Sequence, residues 1–589
     1  MSTPTATIKN AAVAGDVFAL ELLKNALASI ADEMAVTVAR TARSFVIKEA
    51  LDFSTALFNR QGELIAQGTC LPLHLGSMPV AIEAVMRAYP DGICEGDIFA
   101  LNDPYDGSTH LPDVVCVRPI FFAGQLAAFA ATLAHQTDIG GRVPGGNASD
   151  STEIYQEGLR IPPLKLYEND QPVEAIFRLI ARNVRVPNTV LGDIRSQVSS
   201  CYIGERELLK LIDKMGFVAF EATAQDLLDY AERFTRNEIA KLADGDYCFT
   251  DYLDGDGIVP GAIRFDVKVS VHGDSMTVDF TGTSKQVKGA INSVFAFTAS
   301  ATWASVRSIL DQRIPNNAGY FRPIKVVAPL GTIVNPRPPA AVAARGLTGF
   351  RIADTVFGAL AQIAPHLVPA CGSSSPDAGV SVGGYYADGS PFVFLEFLVG
   401  SWGGGPFTDG MDACTGMIIN YSNTPAELLE TEQPLRVESY GYVADSGGAG
   451  QFRGGLALQR HLRFLADDTI VQVRSDRRDK PPYGLHGGHV GASSAVSIDR
   501  AAGALEEHPA KFLTTVNSGD LLKVRLAGGG GYGNASQRDA DAVLADVLDG
   551  KLTLEHARRA YGVVINGQPL CIDHSATQTV RAAMREGET

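Results

Sequence analysis

The sequence lacks any apolar run long enough to cross a membrane. Polar or charged residues interrupt every hydrophobic stretch before the roughly 18 residues that a spanning helix needs. The opening segment, MSTPTATIKNAAVAGDVF, also has no apolar stretch of the kind that a secretory signal contains. We therefore expect a cytoplasmic protein that does not enter a membrane.

The sequence is also short of basic residues and of paired cysteines. There are 50 Lys and Arg against 66 Asp and Glu, so the net charge is −16. No basic stripe relieves this charge, and an acidic surface repels phosphate backbones, so nucleic acid is not an expected partner. The eight cysteines form no CxxC pair, which is typical of reduced cytosolic thiols.

The sequence is long and rich in glycine. A chain of 589 residues exceeds the usual size of a single core, which favours two or three domains. Hydrophobic residues make up 46% and charged residues 20%, a globular composition. The 60 glycines exceed the average share of about 7%, which indicates many tight turns and close backbone approaches.

The pattern of apolar residues predicts an α+β fold with several domains and with mixed and antiparallel sheets. We predict an N-terminal α+β domain over residues 1–245 that carries the metal site described below. A β- and glycine-rich domain is predicted over 246–535, and a small helical tail over 536–589. These boundaries rest on changes in sequence texture near residues 245 and 535.

Periodicity and turn residues predict individual elements within these domains. Apolar residues at helical spacing predict a long N-terminal helix over 16–42, and a second helical stretch covers 204–242 with a break at Gly216. Hairpins are predicted around turns at 59–62, 123–125 and 272–274. In the tail, two short helices are predicted over 539–548 and 554–561, the second with Thr553 as its N-cap.

The hairpin around residues 123–125 carries the most informative side chains. Its strands cover 114–122 and 126–134, and the register that this turn sets places Asp113 opposite His135. Directly opposed residues in an antiparallel pair have Cβ atoms about 5 Å apart. His110 lies three residues before Asp113, in a loop that Pro112 restrains, so it can fold back onto the same point. The spacing thus predicts a cluster of two imidazoles and one carboxylate.

Such a set of ligands favours a borderline divalent ion. Imidazole nitrogen and carboxylate oxygen together suit Zn²⁺ or Mn²⁺ better than Mg²⁺ or Ca²⁺, which prefer oxygen alone. The alternative is that His110 is a solvated loop residue, Asp113 a turn residue and His135 a strand-end residue. From spacing alone, both interpretations remain open.

Other candidate sites have weaker signals. Cys70 and His74 lie four residues apart, as a thiol–imidazole pair would, although a structural cysteine is the favoured interpretation. The basic residues Arg474, Arg477 and Arg478 are interpreted as a solvated surface, with anion binding as the alternative. Glycine clusters at 403–405, 445–450 and 528–531 match no phosphate-binding fingerprint, so we assign them to turns and close packing.

Several segments occur together in an order typical of one family. They are Asp52 to Ser54, Leu73 to Met78, Asn102 to Tyr105, His110 to Asp113, His135, Glu157 to Pro163, Asp445 to Gly455 and Gly528 to Gly533. On these segments the sequence resembles the hydantoinase B/oxoprolinase family, the β-type subunits of ATP-dependent ring-opening amidohydrolases. The resemblance covers about residues 18–562. It implies a divalent metal bound by Asp52, His110, Asp113 and His135.

The resemblance also implies partners and a substrate. It implies a hydantoinase A-type subunit that binds ATP and Mg²⁺, in an (αβ)₂ heterotetramer, and a small cyclic amide such as a hydantoin, oxoproline or a lactam. The present sequence has no nucleotide fingerprint of its own. Bicarbonate is a possible further cofactor, as a carrier that the partner phosphorylates in place of the amide oxygen.

Three points of mechanism remain as hypotheses. Asp138, three residues after His135, is a candidate catalytic residue that accepts a proton or orients a ligand. The alternative reaction is ATP-dependent carboxylation of a ketone of the acetone or acetophenone type, since carboxylases of that kind resemble the same family. The non-enzymatic alternative is a scaffold for the partner ATPase.

Overall fold

A computed structural model of the chain describes residues 17–68, 71–74, 76–373 and 378–587. It confirms the predicted α+β fold class, with antiparallel and mixed sheets. The first sheet has seven strands, which are β1 (Phe53–Asn59), β2 (Leu64–Gln67), β3 (Ile98–Leu101), β4 (Asp113–Phe122), β5 (Gln125–His135), β6 (Leu164–Glu168) and β7 (Gln171–Pro172). Their order is β2-β1-β5-β4-β3-β6-β7, so β4 and β5 lie near the centre.

Helices accompany this sheet in the N-terminal part of the chain. They are α1 (Val17–Thr41), α2 (Phe45–Lys48), α3 (Ser77–Ala88), α4 (Glu174–Asn183), α5 (Pro187–Met215) and α6 (Phe217–Ile239). Helix α1 confirms the predicted long helix, although Asp16 lies outside the described residues. It buries Leu23, Leu27 and Met34 and packs against α5 and the β1–β2 hairpin. Helix α5 begins at Pro187 rather than near 204. The prediction missed its first half because small and polar residues such as Ser196 and Ser200 occupy the buried face there, which weakens the apolar periodicity.

A second sheet is mixed and carries the helix that reaches the candidate site. Its strands are β8 (Gly245–Gly255), β9 (Pro260–His272), β10 (Ser275–Asp279) and β11 (Ile324–Val327), and β10 pairs with β11 in parallel. The associated helices are α7 (Phe295–Arg307), α8 (Ala318–Phe321) and α9 (Arg345–Ile363). Helix α9 packs against α7, β8 and β9 and is buried along most of its length, so Arg345 starts a helix in the interior.

Two further sheets form the C-terminal half, together with helix α10 (Ala426–Glu432). The strands here are β12 (Ala378–Tyr385), β13 (Pro391–Leu398), β14 (Leu435–Tyr442), β15 (Leu458–Phe464), β16 (Thr469–Ser475), β17 (Ala495–Asp499), β18 (Leu505–His508), β19 (Lys511–Val516) and β20 (Leu521–Arg525). One sheet has the order β13-β12-β16-β19 and the other β14-β15-β20-β17-β18. Their facing apolar residues form one core cluster, as sheet-on-sheet packing requires.

The glycine clusters are sites of close backbone packing, as predicted. Segment 528–531 runs between neighbouring glycine segments, and the Gly404 and Gly448 N–H groups donate to the Gly530 and Gly529 carbonyls, each at 2.8 Å. A Cβ on Gly529 would overlap the Trp402 carbonyl, and one on Gly454 would overlap the Gly529 carbonyl. No side chain fits between these segments, so glycine is required for their approach rather than for anion binding.

The tail contains more structure than predicted. Helices α11 (Ala540–Leu548) and α12 (Leu554–Tyr561) confirm the two predicted helices, and Thr553 caps α12 through a side-chain bond to the His556 N–H. The predicted tail omitted the short pair β21 (Ile565–Asn566) and β22 (Cys571–Ile572) and the third helix, α13 (His574–Gly587). Helix α13 is largely exposed and has few buried apolar residues, which weakens its sequence signal.

The predicted boundaries at 245 and 535 stay predictions. The largest apolar core contains residues from both sides of position 245, such as Ile194 and Phe265.

Within the described part of the chain, none of the helices combines the length and the apolar character needed to span a bilayer.

Candidate metal centre

The β4–β5 hairpin places the first two candidate ligands as predicted. Asp113 at the start of β4 pairs with His135 at the end of β5, which confirms the predicted register at this point. The turn itself differs from the prediction. It has two residues, Ala123 and Gly124, both with positive φ, and Phe122 opposes Gln125. This is the conformation that two-residue hairpin turns favour.

A register shift between Ile120 and Phe121 compensates for this difference. The shift adds one residue to β5. The residue pairs farther from the turn, from Ile120 to Asp113 on β4, therefore return to the predicted register. The prediction for Asp113 and His135 therefore holds although its turn was one residue too long.

His110 completes a buried cluster of three side chains, hereafter the His110 cluster (His110, Asp113 and His135). One ligand atom from each residue lies within 4.8 Å of the others. The His110 Nε2 and Asp113 Oδ1 atoms are 3.3 Å apart, and the two imidazole centroids are 4.9 Å apart. All three residues are at most 1% exposed. The alternative of a solvated loop histidine is therefore wrong.

The backbone around His110 fixes which nitrogen faces the cluster. A tight turn joins the Asp113 N–H to the His110 carbonyl at 3.0 Å. The His110 Nδ1 donates to the Ala343 carbonyl at 2.7 Å, since a carbonyl can only accept. The neutral ring therefore presents the lone pair of Nε2 to Asp113 and His135, as a metal-binding histidine does.

The cluster contains polar atoms whose hydrogen-bonding capacity is unused. Among the described residues, His110 Nε2, Asp113 Oδ1 and His135 Nδ1 are buried without a hydrogen-bond partner. Leaving such atoms unpaired costs about 1–3 kcal/mol each, and more for a charged group. Unpaired atoms on three neighbouring residues leave bonding capacity for a cation, and two imidazole nitrogens with one carboxylate oxygen fit Zn²⁺ or Mn²⁺.

The electrostatics of the cluster agree with this fit. Burial lowers the pKa of His110 and of His135, so both rings are neutral and have a lone pair available. Burial opposes ionisation of Asp113, but the Arg345 guanidinium favours it, and the pKa of this carboxyl lies well below its usual range. The cluster thus offers one anionic and two neutral donors.

Asp52, the fourth predicted ligand, lies beside the cluster. Its carbonyl accepts a hydrogen bond from the His135 N–H at 3.0 Å, immediately before β1. Burial and the neighbouring Asp113 raise the pKa of Asp52 to about 8. Its carboxylate is not among the group of ligand atoms within 4.8 Å that the described residues form. The structure thus groups three of the four predicted ligands, and the role of Asp52 stays a prediction.

Asp138, the predicted catalytic residue, is bound on both oxygens. Its Oδ1 accepts from Arg185 Nη1 at 2.9 Å and from the Gly145 N–H at 3.1 Å. Its Oδ2 accepts from the Arg185 and Gly140 N–H groups at 2.6 and 3.3 Å. These contacts organise the loop that follows β5. The role of Asp138 in proton transfer stays a prediction.

Two residues of the centre were not identified as metal-site residues from local spacing. Arg345 Nη2 binds Asp113 Oδ2 at 2.9 Å, and its Nε donates to Thr109. His74 Nε2 lies 3.9 Å from the same oxygen, and its Nδ1 bonds Ser54 at 3.0 Å. Cys70, which would be the other member of the disfavoured thiol–imidazole pair, lies outside the described residues. His74 belongs to one of the family segments, whereas Arg345 is distant in sequence and has no local signal.

Asn147, also missed from local spacing, supports the second histidine from the loop that Asp138 organises. Its Nδ2 lies 3.5 Å from His135 Nε2. An amide N–H can only donate, so with the amide in this orientation Nε2 accepts. The unpartnered Nδ1 of His135 presents a lone pair when the amide is turned so that its own unpartnered oxygen accepts from the Nε2 N–H. The two histidines are thus held by a carbonyl and by an amide from different loops.

The basic cluster at 474–478 is not the solvated surface that was predicted. Arg474 is 3% exposed and Arg477 is fully buried. Arg477 pairs with Asp251 and Asp354 at 3.1 and 2.6 Å, whereas Arg474 lies next to the candidate metal centre. The prediction was wrong because the carboxylates that pair with Arg477 are more than 100 residues away in sequence.

Comparison with known proteins gives one consistent result. The family model described as hydantoinase B/oxoprolinase matches residues 16–535. A chain described as one subunit of a putative D-/L-hydantoinase, from Pseudomonas sp. (strain NS671), is 35% identical over 96% of this chain and 98% of its own length.

Two solved structures extend the likeness to the fold. The ATP-dependent caprolactamase from Pseudomonas jessenii superposes with a TM-score of 0.91 at 32% identity, covering 96% of this chain and 99% of the other. A nucleotide-free acetone carboxylase superposes with a TM-score of 0.92 at 18% identity, covering 98% of this chain and 83% of the other. At that identity the second match shows the fold alone.

Proposed function

The chain belongs to the hydantoinase B/oxoprolinase family, and from this premise we propose that it is the metal-binding catalytic subunit of an ATP-dependent enzyme that opens cyclic amides by hydrolysis. The observation that carries the proposal is the unused bonding capacity of the His110 cluster. Each of the three residues has one buried atom without a hydrogen-bond partner among the described residues, and one ligand atom of each lies within 4.8 Å of those of the other two.

We assign His110, Asp113 and His135 as the ligands of a Zn²⁺ or Mn²⁺ ion, with Asp52 as the proposed fourth. A divalent ion held by these residues would polarise a substrate oxygen or activate water, which are two standard contributions of catalytic metals. The proposal makes Arg345 a positioning residue, because it binds the second oxygen of Asp113 and leaves Oδ1 free.

The remaining residues of the centre control protonation and orientation. The Ala343 carbonyl keeps the proton of His110 on Nδ1, and Asn147 holds the His135 ring by its Nε2. Burial keeps both rings neutral and excludes bulk water from the cluster. The site is therefore prepared before substrate arrives, which is the usual requirement for efficient catalysis.

A separate subunit supplies the ATP chemistry in this proposal. The related hydantoinase and caprolactamase chains are each named as one subunit of an enzyme, and the caprolactamase is named as ATP-dependent. We propose a hydantoinase A-type partner that binds ATP and Mg²⁺, with an (αβ)₂ assembly. The substrate is a hydantoin, oxoproline or a lactam, activated by the partner either directly or through bicarbonate.

The test replaces His110 and His135 by alanine, singly, in the complex with the partner. Metal content by elemental analysis should fall with turnover of a panel of cyclic amides. The loss should exceed the roughly 10–100-fold typical of removing an outer partner of a metal ligand. His556→Ala, which alters a half-buried histidine of the tail, is the matched control. Full metal occupancy and unchanged turnover in both variants would refute the assignment.

A further inference from the structure

Arg474 is a buried arginine whose charge is not matched by a carboxylate. It lies near the end of β16 and is 3% exposed. Within the described part of the chain, no carboxylate lies at ion-pair distance from its guanidinium. The fully buried arginines differ, since Arg351, Arg460 and Arg477 each pair with an aspartate or glutamate. Arg474 therefore contrasts with them in having no counter-charge.

The hydrogen bonds of Arg474 leave one nitrogen available. Its Nη1 donates to the Asn147 carbonyl at 2.8 Å, whereas Nη2 is buried without a partner among the described residues. An unused buried donor also occurs on the ion-paired Arg351 and Arg460, so what distinguishes Arg474 is that it combines one with the lack of a counter-charge, a combination that an anion would relieve. The side chain of Asn147 contacts His135 of the His110 cluster, so Arg474 is connected to the candidate metal centre through one residue.

The position of the guanidinium is restricted on two sides. Its Cζ lies 5.5 Å from the centroid of Phe397, and a Cβ placed on Gly379 would lie 2.6 Å from Nη2. Gly379 pairs with Arg474 across the sheet, so glycine makes room for the planar group against the backbone of β12. A guanidinium held in this way is suited to bidentate binding of an oxyanion.

A small cavity adjoins this guanidinium and the cluster. Its lining includes His110, Asn147, Arg345, Phe397 and Arg474. The free volume is about 30 Å³, which is room for about two water-sized groups. Two arginines, one histidine ligand and an apolar ring therefore line a partly open space that fits two oxygens of an anionic group, with the rest of the group outside it.

We propose that this cavity is an oxyanion subsite in which Arg474, assisted by Arg345, binds a carboxylate or phosphoryl group next to the metal centre. The subsite extends the proposed function, because it specifies that the species handled here carries a compact anionic group. Its chemistry does not depend on the identity of the metal. A phosphoryl group and a carboxylate can each present two oxygens to a guanidinium, so both are tested.

The experiment measures binding of inorganic phosphate and of bicarbonate to the full chain by calorimetry. Each probe is titrated into the chain as purified and into the chain treated with chelator, so that binding to an ion is separated from binding to Arg474. We expect saturable binding of at least one probe in both preparations. Which probe binds more tightly distinguishes phosphoryl from carboxylate recognition.

Variants connect this binding to the guanidinium. Arg474→Gln should raise the Kd for the bound probe about tenfold or more, which is the effect of losing a hydrogen bond to a charged group. Gly379→Ala should weaken it as well by displacing Nη2, and Arg474→Lys should restore part of it. Arg525→Gln, which alters a surface arginine bonded to the Ser493 carbonyl, should bind like wild type.

Two results would overturn the subsite. One is an unchanged Kd in folded Arg474→Gln and Gly379→Ala, and the other is wild-type chain that binds neither probe at millimolar concentration. Metal content is measured on the same samples and reports on the proposed function separately. A chain that binds the probes through Arg474 but never holds metal would refute the metal centre and retain the subsite.

Discussion

Two groups of buried charged residues lie in the interior of this protein, and they differ in how completely they are paired. The first is the His110 cluster. The second, here the Arg351 network, consists of Arg351, Arg477, Asp251, Asp354 and Asp476. In the network, Asp251 lies 2.8 and 3.1 Å from the two arginines, Asp354 binds Arg477, and Asp476 binds Arg351. Every carboxylate of the network thus has an arginine, and Arg351 Nε is the buried atom left there without a partner among the described residues. In the His110 cluster Asp113 also has an arginine, but each of the three residues leaves an atom unpaired.

The pKa shifts show the same difference. Burial opposes ionisation of Asp251 and Asp476, but the neighbouring arginine and lysine side chains outweigh it and lower the pKa of both carboxyls. Beside the His110 cluster, burial and Asp113 raise the pKa of Asp52 to about 8. Burial and charge alone therefore do not identify a site in this molecule. What identifies it is unused bonding capacity on neighbouring ligand atoms.

The comparison is tested most strongly by breaking the Arg351 network. Arg351→Met leaves Asp251 and Asp476 short of a partner, and we expect it to lower the free energy of unfolding by about 3–5 kcal/mol. Metal content should stay at the wild-type level, because the network does not contact the His110 cluster's ligands. Denaturant unfolding and elemental analysis check both points. A loss of metal in a folded Arg351→Met variant would show that the two groups are not independent.

Removing the ion should have the next largest effect. If the His110 cluster binds metal, saturation at 100 to 1,000 times Kd stabilises the fold by about 3–4 kcal/mol, and chelation should remove that contribution. The measurement is Tm with and without chelator. His135→Ala serves as the control, since its Tm should not respond to chelator. If chelator removed metal from the wild-type chain without changing its Tm, the bound metal would lie elsewhere. That result would contradict the assignment of the unused bonding capacity to a metal site.

The smallest expected effect concerns Glu157, a buried carboxyl near the cluster. Its Oε1 accepts from the Val342 and Ala343 N–H groups at 2.7 and 2.9 Å, and burial raises its pKa from 4.5 to about 8 despite these bonds. The folded state therefore holds this proton more tightly than the unfolded chain does. Its contribution is fully present below pH 4.5 and is lost as the pH rises through about 8.

Glu157→Gln should remove this part of the pH dependence. Above pH 8 the variant should be more stable than wild type by about 1–3 kcal/mol, because it lacks the buried negative charge that Glu157 acquires there. Unfolding free energies measured from about pH 5 to 9 give the two curves, and their difference isolates Glu157 from Asp52. Parallel curves would show that Glu157 is ionised in the folded protein across this range.

Local sequence patterns were sufficient for the hairpin and for much of the helical structure. The pairing of Asp113 with His135 follows from alternation and a turn, both properties of a continuous segment. Asp52 came from family resemblance alone, because its position depends on β1 pairing with β5. Arg345 and Arg474 reach the site from elements more than 200 residues from Asp113, and no short-range periodicity encodes such contacts.

The interlocked glycine segments have a consequence for how the chain reaches its native state. Segments around residues 404, 448, 454 and 529 bond to one another across long separations in sequence. Contacts of this separation require closure of long loops before they contribute, which slows folding. We therefore expect the C-terminal half to assemble late and cooperatively, so that the strand bearing Arg474 arrives after the β4–β5 hairpin has formed.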